Sequence, residues 1–323
     1  MTIPKAFRTE LAGREDITRL MGRWPIRLPV RTWWKRLHWY LQLTKPTTML
    51  LVLMSGATAL TLEGSMLAQP LRFAAFLGGL YLAGGSACAL NQYLERDIDG
   101  AMIRTRSRRP LPLGRLGSPA ALVFALTIGV LGLIVLGAAF NLLTAGLALG
   151  NIFFYVVVYT ILLKPRTPYN IVIGGVAGAI VPVGAWAAAT GSTAMVPWIL
   201  FAIIFLWTPP HFWALALCRR DDYQRTGQPM MPVVKSMEAV LDQILFYSLA
   251  LFGASLAYVP AAGGRLYLIV AGLLGSIFVY ISWSARRRRD ERSIGRVFAY
   301  SIFYLFALLA TMIIDKLTAG PKG

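Results

Sequence analysis

Asn91-Gln92-Tyr93-Leu94-Glu95-Arg96-Asp97-Ile98-Asp99 is the stretch around which the chain is organised. An apolar run from about Leu71 to Leu90 leads into it, and Arg104, Arg106, Arg108, Arg109 and Arg115 follow it. Residues four apart stack on one helix face. The spacing predicts Asn91, Glu95 and Asp99 in one oxygen-rich stripe over two turns, with Asp97 roughly opposite. Oxygen ligands suit Mg²⁺, which takes one or two carboxylates and leaves its other positions to water and substrate phosphates. Arginines suit the phosphates themselves. A site that wants both, where lipid meets water, points to a diphosphate with an apolar tail. Charges past a membrane helix are also ordinary solvated flank, so the rest of the chain has to decide.

The 323 residues are 57% hydrophobic and 14% charged, against about a quarter charged in soluble domains. Mean hydropathy is +0.60. Long apolar runs recur, so the expected class is an all-α polytopic membrane protein. The formal net charge of +18 lies in loops between spans, which argues against nucleic acid as a partner. Cys88 and Cys218 form no disulfide framework or zinc pattern. The first 20 residues hold Lys5, Arg8, Glu10, Arg14, Glu15 and Asp16 with no apolar core of a cleavable signal.

Nine spans are expected, near 47–64, 71–93, 119–139, 142–163, 170–190, 195–217, 239–259, 265–284 and 297–314, since about 20 apolar residues cross a bilayer. With the N-terminus inside, the inner segments carry 28 of the 32 Lys/Arg, leaving only Arg72, Arg265, Lys316 and Lys322 outside. That asymmetry predicts N-in, C-out. Residues 1–44 read as a basic segment. Its part from Arg31 to Thr44 places Trp33, Leu37, Tyr40 and Leu41 on one face, as an interfacial helix would. The membrane domain is then 45–316, with a short tail at 317–323. Gly174 and Gly178, with Gly175 and Gly184 nearby, predict close packing of the fifth span, and Pro182 predicts a kink in it.

Two further stretches carry chemistry. Lys164 and Arg166 sit in a short inner loop stiffened by Pro165 and Pro168, ahead of Asn170. Fixed cations there hold a diphosphate or stabilise a departing one; the same residues also read as a positive-inside anchor. The sixth span ends Trp207-Thr208-Pro209-Pro210-His211-Phe212-Trp213, then Arg219-Arg220-Asp221-Asp222. The prolines are expected to break the helix, leaving His211 as an ionisable group at membrane depth, a functional candidate by default or a hydrogen-bonded core histidine. Asp221 and Asp222 share the membrane face of Glu95 and Asp99. The acidic clusters follow spans four apart, which suggests a degenerate parallel repeat with the active cavity between the halves. Arg286 to Arg289, Arg292 and Arg296 read as an anchor to anionic lipid.

On these stretches, together with Met102 through Pro112, Tyr159 through Trp186 and Trp207 through Val233, the chain resembles the UbiA-type intramembrane prenyltransferases, and within them the haem-farnesylating branch. The resemblance covers about a third of the chain and leaves out residues 1–44. It implies nine helices around a lipid-accessible central cavity capped by inner loops. It implies Mg²⁺-assisted ionisation of farnesyl diphosphate, attack by a vinyl group of haem b, and trapping by water to give haem O. Carried over by position, Asn91, Glu95 and Asp99 hold metal and diphosphate, with Lys164 and His211 beside them as catalytic groups. Arg104, Arg108 or Arg109, Lys164, Arg166 and Asn170 bind the diphosphate. Asp221 and Asp222 support a second metal or order the loop. His211, Trp207 and Trp213 face the haem, with His211 as iron ligand or proton acceptor. His211 and Cys218 stand where other branches carry acids, which puts a second Mg²⁺ in doubt. The acid among the first 20 residues favours a bacterial inner membrane over a mitochondrial one, with the active-site loops on the cytoplasmic side by the charge asymmetry; the resemblance further implies a haem A synthase downstream. The rivals are a prenyltransferase acting on an aromatic or quinone precursor, and a transporter or binder of a phosphorylated lipid that shows no turnover.

Overall fold

The computed structural model describes residues 30–318, and every regular element among them is helical. Most of the expected basic N-terminal segment and the expected tail beyond 318 lie outside the described residues. The chain separates into Met1–His38 and Trp39–Gly323. Helix α1 is Val30–Leu43; of the face expected on it, Trp33, Leu37 and Leu41 are exposed, while Tyr40 packs against Phe124 at 4.9 Å.

The bundle comprises α2 (Pro46–Glu63), α3 (Pro70–Leu94), α4 (Ser118–Ala139), α5 (Leu142–Leu163), α6 (Asn170–Thr190), α7 (Met195–Leu217), α8 (Met237–Ala262), α9 (Arg265–Arg288) and α10 (Glu291–Thr318). Helices α3 to α10 are eight elements long and apolar enough to cross a membrane. Helix α2 falls outside those eight. It has 18 residues, and Thr47, Thr48, Ser55, Thr58 and Thr61 dilute its apolar content. It nevertheless packs on α3, α6 and α10, and Thr58 and Thr61 donate to carbonyls four residues back, at 2.8 Å each. The last three helices outrun their apolar stretches because helical hydrogen bonding continues into charged residues; Arg286, Arg287 and Arg288 close α9, where cations suit the helix dipole.

Pairing in the first half recurs four helices on. Helix α3 packs on α4 as α7 packs on α8, and α4 meets α5 as α8 meets α9. Helices α2 and α6 pack together across the halves, and α10 packs on α2, α7 and α9. The second half has the tighter core. Tyr258, Tyr267, Phe278 and Tyr304 are 0–1% exposed, and two of the hydroxyls meet Ser255: Tyr304 Oη with its Oγ at 2.7 Å, and Tyr267 Oη donating to its carbonyl at 2.9 Å.

Two expectations are corrected. Pro209 and Pro210 do not break α7, which runs unbroken through both. In an apolar surround, unwinding would strand backbone groups, whereas a continuing helix forgoes only the two donors that proline lacks. The small-residue face of α6 is also not the one expected. A side chain at Gly174 or Gly175 would strike Tyr159 or Thr208, while Gly178 and Gly184 face open space. The close approaches are thus Gly174 to α5 and Gly175 to α7. Helix α6 is interrupted at Gly175 and Ile180, just before Pro182.

Helix α5 departs most from standard winding. It is π-helical over Phe154–Leu163, and the Lys164 N–H reaches back five residues to Tyr159 O at 2.9 Å. It is also the least buried span, with 6% of its apolar window inside the protein against 56% for α6 and α7.

Candidate active site

Helix α3 ends at Leu94 and a short helix, Arg96–Ala101, resumes after Glu95. Backbone bonds cross the joint four residues apart, Glu95 N to Asn91 O at 3.0 Å and Asp99 N to Glu95 O at 2.8 Å. The predicted register therefore holds. Asn91, Glu95 and Asp99 are 2–5% exposed on one face, while Asp97 points to solvent.

Each member of the stripe meets one cation. Lys45 Nζ donates to Asn91 Oδ1 at 2.7 Å, Lys164 Nζ to Glu95 Oε1, and Arg109 Nη1 to Asp99 Oδ2. Asn91 Nδ2 also donates to Thr160 Oγ1 at 3.1 Å. These partners come from the start of α2, the end of α5 and the loop after α3. All belong to the first half, so the stripe is completed within that half rather than between the two. The two carboxyls differ electrostatically. Burial pushes Glu95 up, but Lys164, backed by Lys45 and Arg109, more than offsets this and holds it below its ordinary value. Burial pushes Asp99 up further than Arg109 pulls it back.

Lys45 was not legible as a site residue. It has φ 50°, in the left-handed region, which costs an ordinary L residue about 1–2 kcal/mol. Its neighbours over-determine that conformation. Thr44 Oγ1 bonds Tyr81 Oη at 2.7 Å, and Gln92 Nε2 donates to Gln42 O and Leu43 O at 3.0 Å. Backbone strain at a functional position is a recurring pattern. The one local signal was Pro46, which bars the residue before it from ordinary helix geometry. Burial pulls the Lys45 ammonium below its ordinary value.

The other expected residues divide. Arg109 turns inward to Asp99, whereas Arg108 is exposed; Arg104 is half-buried. Arg166 is exposed and donates to Ile161 O at 3.1 Å and Leu162 O at 2.9 Å, closing the end of α5. Asn170 is fully buried, with Nδ2 donating to Thr167 O at 2.6 Å and only the acceptor Oδ1 left. Asp221 is exposed. Asp222 Oδ1 accepts from Ile103 N at 3.1 Å, which joins the loops after α3 and α7.

His211 lies on the α7–α10 seam. Its Nδ1 bonds Ser301 Oγ at 2.8 Å, and its ring stacks with Trp207 at 4.4 Å and Phe298 at 4.9 Å. Trp207 Nε1 donates to Ser301 O at 2.7 Å. Ser301 and Phe298 sit in an unremarkable apolar run and carried no sequence signal. Trp213 is fully buried, edge-on to Tyr247 of α8, on the other side of α7.

Asn91, Glu95 and Asp99 are hard oxygen donors aligned on a buried face. Among the described residues no cluster of three His, Cys, Asp or Glu forms a complete cage. That donor set fits an ion such as Mg²⁺, which shares its shell with substrate phosphates.

Known proteins share both sequence and fold with this chain. A protoheme IX farnesyltransferase of Microcystis aeruginosa is 46% identical over 282 residues, covering 86% of this chain and 89% of that protein. The one from Gloeothece citriformis is 43% identical over 281 residues, covering 86% and 87%. Among solved structures, one described as digeranylgeranylglyceryl phosphate synthase superposes with TM-score 0.73 at 18% identity, covering 88% of this chain and 99% of that one. A UbiA homolog from Archaeoglobus fulgidus bound to GPP and Mg²⁺ gives 0.59 at 20%, covering 84% and 99%. With residues 49–308 matching the model of that family, and the stripe at the C-terminal end of α3, this integral membrane chain belongs to the UbiA prenyltransferase family.

Proposed function

We propose that the chain transfers a farnesyl group from farnesyl diphosphate to a vinyl group of haem b, with addition of water, giving haem O and diphosphate. The observation that carries this reading is the 43–46% identity to protoheme IX farnesyltransferases across most of both chains. The cation-lined stripe supports it.

Asn91, Glu95 and Asp99 would hold Mg²⁺, which supplies charge neutralisation at the diphosphate when bound. Lys45, Lys164 and Arg109 already face the stripe and would grip the leaving group. Holding it against fixed cations in a site away from bulk water favours heterolysis of the allylic C–O bond. Arg104 extends this basic wall. Arg166 serves the loop, because its guanidinium is engaged by backbone. Asp222 ties the two inner loops together rather than adding a second metal site. The haem would lie along Trp207, His211 and Phe298, where stacked rings offer an apolar seat. His211 Nδ1 is engaged by Ser301, which leaves Nε2 for the iron or for a proton. Helix α1 would lie on the leaflet. The membrane would be the bacterial inner membrane, with the inner loops cytoplasmic, the termini N-in and C-out, and a haem A synthase as the consumer of the product.

The test is turnover. Purified protein is incubated with haem b, farnesyl diphosphate and Mg²⁺, and the products are weighed by mass spectrometry. The expected species is haem heavier by a farnesyl group plus water. Unmodified haem with another acceptor prenylated would overturn the acceptor, and intact diphosphate with every acceptor would overturn the transfer.

A further inference from the structure

Asn91 is the neutral member of the stripe, and its two ends are opposite in kind. The amide oxygen accepts and the amide nitrogen donates. Turned end for end, the side chain would aim two N–H groups at the position where a cation is to sit. Its usefulness therefore depends on which end faces which way. Asn91 is 2% exposed and Thr160, beside it, 7%. Asn91 Nδ2 donates to Thr160 Oγ1 at 3.1 Å, and Asn91 Oδ1 accepts from Lys45 Nζ at 2.7 Å.

Each contact requires that orientation, for a separate reason. A threonine hydroxyl carries one hydrogen. That of Thr160 is spent on Tyr155 O at 2.8 Å, five residues back in the π-wound stretch of α5. Thr160 Oγ1 can then only accept, so the end of Asn91 that meets it must be the nitrogen. An ammonium carries donors alone, so the end that meets Lys45 must be the oxygen. The two partners differ in permanence. Lys45 is one of the cations assigned above to the leaving group, and a lysine that turns to a diphosphate no longer selects the amide end. Thr160 is neutral, buried and tied to backbone. It has no charge to draw it to the diphosphate, so it goes on selecting that end when the site fills.

We infer that Thr160 is a positioning residue: by accepting from Asn91 Nδ2 it keeps the amide oxygen, rather than the nitrogen, presented to the divalent cation of the stripe. This rests on the metal reading proposed above. Thr160 acts through Asn91, as groups behind metal ligands do when they fix which atom a ligand offers. Its hydroxyl also bonds the backbone at Tyr155, so a rival role exists, holding the wide winding that carries Lys164 to Glu95. The two roles respond differently to Asn91→Asp. A carboxylate has an oxygen at both ends, so nothing is left for Thr160 to select. The winding of α5, by contrast, does not depend on which end of residue 91 accepts.

The experiment measures binding of Mn²⁺, which takes the same oxygen ligands as Mg²⁺. Purified protein is loaded with farnesyl thiodiphosphate, an analogue slow to ionise, and bound Mn²⁺ is read from the loss of the free ion's electron paramagnetic resonance signal. Wild type is compared with Thr160→Val, Thr160→Ser, Asn91→Asp, and Thr160→Val combined with Asn91→Asp. Thr160→Val keeps the shape and removes the hydroxyl. It should weaken Mn²⁺ binding by about tenfold or more, the usual loss when a group that orients a metal ligand is removed. Thr160→Ser, which keeps the hydroxyl, should bind as the wild type does. In the Asn91→Asp background, Thr160→Val should cost nothing further, the coupling expected of residues that act as a pair. Unchanged Mn²⁺ affinity in Thr160→Val overturns the inference. So does an equal loss in both backgrounds, which would assign the hydroxyl to the winding of α5 alone. If Thr160→Val fails to fold, Thr160→Ala decides by the same comparison. If the wild type takes up no Mn²⁺, the metal reading of the stripe fails and the inference falls with it.

Discussion

Lys164→Met removes the cation from Glu95 while nearly keeping its shape. Glu95 has a side chain only 7% exposed. Leaving such a carboxylate charged without its partner costs about 3–5 kcal/mol. Taking a proton at pH 7, from its ordinary 4.5, costs about 3.4 kcal/mol. The two costs are close, so loss of Lys164 should raise the Glu95 pKa in the variant above its ordinary value, as burial then dominates. In the wild type its pKa is lowered, so its contribution to stability is present above 4.5 and is lost as pH falls through the folded value. In the variant the sign reverses: stability is present below 4.5 and lost as pH rises through the raised value. Turnover should fall about 10²- to 10³-fold, the usual cost of one preorganised charge-stabilising donor. What remains should climb with rising pH as Glu95 ionises, where the wild type is flat. Thermal unfolding in detergent should show a lower midpoint at pH 8 than at pH 6, and adding Glu95→Gln should raise it. A variant with the wild-type midpoint and a flat pH–rate profile would refute the pairing.

The remaining predictions concern the other contacts of the site. Asp99→Asn should abolish turnover without lowering the thermal midpoint at pH 7.5. Its raised pKa means that its stability contribution is present below 3.8 and lost as pH rises through the folded value, and Arg109, 18% exposed, can turn to water. Lys45→Gly should hold the midpoint, because relief of about 1–2 kcal/mol of left-handed strain offsets the lost bond to Asn91, while turnover drops at least about tenfold; Lys45→Ala should lose both. Asp222→Ala should raise KM for farnesyl diphosphate more than it lowers kcat, with faster tryptic cleavage at Arg104 to Arg108 as the loop loosens. Ser301→Ala should weaken haem binding, read by the Soret band, and leave farnesyl diphosphate binding unchanged.

The spans were legible because lipid demands long apolar runs and charge marks their ends. The stripe was legible because four-residue spacing survives the joint at Glu95. Partners distant in sequence were not. Lys45 counted as one more flanking cation, since nothing in a linear reading distinguishes a lysine aimed inward by Gln92 and Tyr81. Arg108 and Arg109 were equivalent until the loop's turn put only Arg109 over Asp99. Pro209 and Pro210 misled because the rule that proline ends helices assumes water to receive the freed backbone groups.

The wide winding at Phe154–Leu163 has a lineage-level consequence. Such a stretch accommodates a residue that an ordinary helix of equal rise would not. Removing one residue there lets the winding tighten towards 3.6 residues per turn, with Lys164 kept over Glu95 and α5 still apolar and long enough to cross. Because only 6% of its apolar window lies inside the protein, few core contacts would notice. A three-nucleotide deletion within codons 154–163 that spares Thr160 should therefore yield an inserted protein that keeps activity, whereas the same loss from the last turns of α3 would turn the stripe by about 100° and abolish it. Deletion scanning along the gene would mark this segment as one that absorbs frame-preserving loss.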